Sequence, residues 1–78
     1  MAIKAYILVE TSVGQTLTVV DTIRGFDGID IVDVVNGPYD IIAVFNANDL
    51  TEIGTLVTEK IHKVEGVLSA VTCIATGN

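Results

Sequence analysis

The chain has 78 residues, half of them hydrophobic and 18% charged, with a net charge of −6 at neutral pH. That length has room for one domain, residues 1–78, and no more. Only Lys4, Arg24, Lys60 and Lys63 are cationic, and they are scattered; this excludes direct nucleic-acid binding, which needs clustered Lys and Arg.

A domain this small buries only about 60% of its unfolded surface, so a surplus of apolar residues points to self-association. The single cysteine, Cys73, leaves no internal disulfide framework and fits a reducing compartment. Met1-Ala2-Ile3-Lys4 has no signal-peptide pattern, and no apolar run approaches transmembrane length. A cytoplasmic location is expected.

From Ala2 to Glu10 the sequence alternates, with Ile3, Ala5, Ile7 and Val9 on one side and Lys4, Tyr6, Leu8 and Glu10 on the other. That period of two predicts the first strand. Ser12 followed by Gln15 has the form of a capping box, so a helix is expected to begin near Val13. Val13, Leu17, Val20 and Ile23, with Val19 beside them, form its apolar stripe, and Gly25 is the expected C′ residue. Phe26-Asp27-Gly28 is a short connector. Two runs rich in β-branched residues follow, Ile29 to Val35 and Ile41 to Phe45, joined by Asn36-Gly37-Pro38-Tyr39-Asp40. This predicts a β-hairpin. Gly37 is expected to adopt backbone angles that other residues resist, while Pro38 fixes its own φ and offers no N–H.

Asp49 and Glu52 make a second capping box, and Leu50, Ile53, Leu56, Val57, Ile61 and Val64 a second helical stripe. Gly66 ends that helix, and Val67 to Ala75 reads as the last strand. The order βαββαβ predicts an α+β, ferredoxin-like fold, a four-stranded antiparallel sheet with two helices on one face. The face without helices is apolar too. In the third strand Ile41, Ala43 and Phe45 oppose Ile42 and Val44; in the last, Val67, Val71 and Cys73 oppose Leu68, Ala70 and Ile74. A solvated sheet face would alternate apolar with polar residues. A second copy packed sheet to sheet covers this face most economically, so a homodimer of the dimeric α+β barrel type is expected.

Candidate chemistry is sparse. At the hairpin, Asp40 offers a carboxylate to a cation, Tyr39 a wall or hydroxyl, and the backbone near Gly37 an anion contact. The plainer reading is a turn made by Asn-Gly-Pro with a solvated Asp40. His62 has no companion ligands at metal spacing, and Cys73 in an apolar strand reads as a buried thiol. Asp30 and Asp33 lie three apart on a strand and point to opposite faces, so they are no acid–base pair. No phosphate loop or nucleophile elbow is present. No catalytic residue, metal or cofactor is expected.

The run from Val34 to Thr76 resembles the effector-binding (RAM) domain of Lrp/AsnC transcription regulators. Gly37-Pro38-Tyr39-Asp40 fits the family's turn signature after an apolar strand. A strand ending in Ala47-Asn48-Asp49-Leu50 follows, then Val64-Glu65-Gly66-Val67 before the last strand, with Thr72 inside it. With the first strand and helix, the similarity covers nearly the whole chain. The resemblance implies a stand-alone effector module without the family's DNA-binding half. It further implies sheet-mediated dimers, rings of dimers, and small effectors, typically amino acids, bound between dimers near the turn. The implied ligand residues are Gly37, Tyr39 and Asp40, with Thr72 and the turn neighbours Asn36 and Pro38. Pro38 removes one N–H a carboxylate would use, and Ala70 stands where relatives often place a hydroxyl. Two other functions compete: an adaptor that co-assembles with full-length Lrp/AsnC-type regulators without a ligand of its own, and a dimeric α+β barrel enzyme. The enzyme needs a polar inner cavity, and the inner positions here are almost all Ile, Val, Leu and Ala.

Overall fold

The computed structural model describes residues 2–77. Strand β1 (Ile3–Thr11) leads to helix α1 (Thr16–Arg24), followed by β2 (Ile29–Val34), β3 (Ile41–Ala47), helix α2 (Leu50–Thr55) and β4 (Val67–Ile74). The α2 segment continues without a break as a π-helical turn, Leu56–Lys60, and a 3₁₀ turn, Ile61–Lys63. The sheet runs β2-β3-β1-β4, with every neighbouring pair antiparallel. This is the ferredoxin-like arrangement the element order predicts. No helix among the described residues is long and apolar enough to cross a membrane.

The alternation along β1 sorts its side chains as expected. Ala5, Ile7 and Val9 are fully buried under the helices, while Tyr6 remains 37% exposed on the other face. The core also takes Ile23 from α1, Ile41 from β3 and Ile61 from the 3₁₀ turn, all fully buried. Each such side chain contributes about 1.5–3 kcal/mol of burial free energy. Asp49 caps α2 as predicted, its carboxylate accepting the Glu52 N–H at 2.8 Å. Glu52 reaches back one residue further than a standard capping box, to the N–H of Asn48 at 3.3 Å.

The first helix departs from expectation. It starts at Thr16, not near Val13, and Gln15 at its N-cap makes no side-chain cap. Gly14, at φ 81°, turns the chain, and Gln15 donates to the Ser12 carbonyl at 3.1 Å. Ser12 is engaged elsewhere: its N–H and its hydroxyl both donate to the Gly66 carbonyl, at 2.8 and 3.3 Å. Val13 is consequently fully exposed and Leu17 largely so, and the buried stripe is Val19, Val20 and Ile23. Gly25 caps α1 in the right-handed region, and the left-handed turn falls to Gly28 at φ 87°. A Cβ at Gly28 would collide with the Phe45 ring.

Gly37 also departs from expectation. It lies outside the left-handed region, and a Cβ there would meet nothing within 4 Å. The connection is a longer loop closed at its base, where Val35 N–H donates to the Asp40 carbonyl at 2.9 Å.

The face without helices carries two apolar rows set by the strand registers. Ile31, Val44, Tyr6 and Cys73 form one, and Ile42, Leu8 and Val71 the other, with Asp33 at its end. Ile31 and Val71 are 47% and 42% exposed, and Cys73 is exposed rather than buried. At Glu10/Thr11 the β1–β4 register shifts, so Val67 opposes Thr11 and joins the core side instead of the open one. The bulge leaves Leu68 62% exposed.

Candidate functional site

The turn is fixed by the strand it crosses. β1 pairs with β3 only as far as Val9, opposite Ile41, yet runs on to Thr11. The Val9 carbonyl accepts the Asp40 N–H at 2.9 Å. Thr11 shares Val9's parity, so its N–H faces the same edge, beyond the last β3 carbonyl. Asp40 supplies the missing acceptor. Its Oδ2 takes the Thr11 N–H at 2.8 Å and the Thr11 hydroxyl at 3.2 Å.

Thr11 is 8% exposed, and its Oγ1 lies 2.7 Å from Oγ1 of Thr16 at the start of α1. An ionised carboxylate only accepts, so the Thr11 proton points to Asp40 and the Thr16 proton to Thr11. Asp40, Thr11 and Thr16 thereby make one directed chain from the β2–β3 loop to the first helical turn. Hydrogen bonds to a charged acceptor contribute about 1.5–3 kcal/mol each.

A second tie meets the first at the same junction. The Ser12–Gly66 pair joins the end of β1 to the turn before β4, with Gly66 at φ 102°. A Cβ at Gly66 would stand 2.9 Å from the Gln15 Cβ. Three connections therefore converge at one end of the sheet.

Among the residues singled out from sequence, Asn36, Gly37 and Pro38 are exposed, and Tyr39 and Asp40 half-buried. Thr72 is separate from them. It sits on β4 opposite Ile7, on the helix side of the sheet. It is two strands and three residue steps from Asp40, on the order of 14 Å at usual strand spacings. One chain thus assembles the turn but does not bring Thr72 to it. Sequence reasoning missed Thr11 and Thr16, and read Ser12 as a helix cap and Gly66 as a helix end rather than as ties of this junction; a polar pair ending an apolar strand was the only signal, and a weak one. His62 is exposed. Among the described residues no three His, Cys, Asp or Glu side chains converge to hold a metal.

Fold and turn together define a ferredoxin-like α+β module whose hairpin loop is tied by hydrogen bonds to the end of β1. The chain belongs to the Lrp/AsnC ligand binding domain family, whose model matches residues 4–78. It is similar to an uncharacterised HTH-type transcriptional regulator of Pyrococcus horikoshii, 31% identical over 74 residues, covering 95% of this chain and 47% of that protein. The chain spans about half the length of the curated relatives it matches. Among solved structures, a Thermus thermophilus protein superposes with a TM-score of 0.93 at 28% identity, covering 97% of this chain and 95% of that one. A Neisseria meningitidis transcriptional regulator solved as a complex with L-Met shares the fold, with a TM-score of 0.86 at 14% identity over 96% of this chain and 50% of that one. The family is that of a ligand-binding domain in transcription regulators, not an enzyme family.

Proposed function

We propose that this domain is a cytoplasmic sensor of a small effector, an amino acid, acting as one unit over residues 1–78 in an oligomer linked to transcription control. The family match over residues 4–78 carries this reading. The L-Met complex of the Neisseria meningitidis regulator supports the ligand class.

The effector site is the Asn36–Asp40 turn. Asp40 holds the loop through Oδ2 and offers Oδ1 to the effector's ammonium, and Tyr39 supplies a wall. Thr72 stands too far from the turn of its own chain to join it, so its contribution comes from a neighbouring protomer. Two copies pack through the open sheet rows, and dimers meet at the turns. Effector control typically involves a coupling of about 1–3 kcal/mol, within reach of one charge pair and a few hydrogen bonds.

The test is light scattering coupled to size exclusion, with each common amino acid in turn. A dimer or larger ring whose mass or melting temperature responds to one amino acid supports the sensor. An assembly indifferent to all of them removes it in favour of the adaptor. The adaptor reading predicts mixed oligomers with full-length Lrp/AsnC-type regulators from the source cell. A monomer removes both.

A further inference from the structure

We propose a second ligand site, independent of the turn: the groove between α1 and the Leu56–Lys63 segment binds a small organic monoanion, a carboxylate with an apolar body. The groove measures about 580 Å³, within the roughly 300–1,000 Å³ usual for small-molecule sites. Gln15, Thr18 and Thr22 from α1 line one side, and Lys60 and Lys63 the other. Phe26 and Val64 supply the apolar lining, and Glu65 completes it.

The chain carries −6 overall, yet two of its four cations meet here. Two lysines against Glu65 leave one net positive charge, which matches a monoanion better than a doubly charged phosphate. The helix geometry sets this arrangement. The π turn ends at Lys60, and Ile61 behind it is fully buried, which leaves Lys60 and Lys63 exposed on the groove side. Single π turns occur frequently at functional sites. Lys60 Nζ stands 5.8 Å from the Phe26 ring centroid, so the cation and the apolar surface are adjacent. A ligand with a carboxylate next to an apolar body meets both at once. Thr22 gives its hydroxyl proton to the Thr18 carbonyl at 3.1 Å. The Thr18 hydroxyl and the Gln15 amide are then the neutral donors for the anion.

The test titrates the ¹⁵N-labelled chain with 3-phenylpropionate, using 3-phenylpropanol as the neutral control. Saturable amide shifts centred on Thr18, Thr22, Lys60 and Lys63 are expected, with no matching response to the alcohol. K60Q/K63Q weakens the binding at least about tenfold, a loss of about 1.4 kcal/mol, while K4Q on the opposite sheet face leaves it unchanged. Both lysines are exposed, so the fold should survive; melting curves check this, and K63Q alone gives the reading if the double variant unfolds. Equal response to the alcohol, no saturable shift, shifts confined to Asn36–Asp40, or a lysine variant that binds like wild type overturns the proposal.

Discussion

Asp40 closes over the end of β1, its Oδ2 accepting both the N–H of Thr11 at 2.8 Å and its hydroxyl at 3.2 Å. A carboxylate that looks solvated in the sequence is therefore part of the frame that shapes its own loop. Binding and stability are coupled at this residue, and any ligand assay on an Asp40 variant needs a stability measurement beside it.

Asp40→Ala leaves the half-enclosed Thr11 N–H without its acceptor, which costs about 1–3 kcal/mol. Thr11→Val removes the hydroxyl alone and costs less. Urea denaturation of both single variants and the double measures their coupling, expected at about 1 kcal/mol. Strictly additive losses would show that the Thr11 hydroxyl and the Asp40 carboxylate are not coupled in solution.

The glycines give a contrast. At Gly66 an alanine must hold φ 102° and push against the Gln15 Cβ. At Gly37 it meets open space and needs no left-handed angle. Gly66→Ala is expected to cost about 1–3 kcal/mol, and Gly37→Ala to stay within about 0.5 kcal/mol of wild type. Equal melting temperatures for the two would contradict this turn geometry.

Helix caps separate what the sequence spells out from what it leaves open. Asp49 is followed directly by its helix and caps it, so Asp49→Ala should lower stability by about 1 kcal/mol. Ser12 has the same cap-like pattern, but its hydroxyl donates to Gly66, 54 residues away. In Ser12→Ala the backbone bond from its N–H to Gly66 persists, so helix content by circular dichroism should not change. A fall in helicity in that variant would restore Ser12 as a cap.

The same division runs through the whole chain. Period and turn chemistry are local, and the strands, their order and the buried face of β1 follow from them. The Val67 shift depends on a bulge between two strands far apart in sequence, and the Asp40–Thr11 clip on β1 outrunning β3. Neither leaves a mark in a window of neighbouring residues. The turn was singled out as a candidate site through the family resemblance, since its residue types alone read as a plain turn; Thr11 and Gly66, which hold it, look ordinary.

The open sheet face supports the most decisive prediction about assembly. Leu8 lies in the middle of its row, flanked by Ile42 on β3 and Val71 on β4. Val71 is 42% exposed in the single chain, and burying such a row between two copies is the main apolar gain available to so small a domain. Leu8→Glu sets a charge in the centre of that interface, and each copy would bury one facing another. Taking an unpaired charge out of water costs several kcal/mol, and this interface would bury two of them, while in the monomer the glutamate simply faces solvent. The variant should therefore keep its circular dichroism spectrum and elute at the mass of one chain. If it retains the wild-type mass, copies associate through another surface, and the sheet rows need a different explanation.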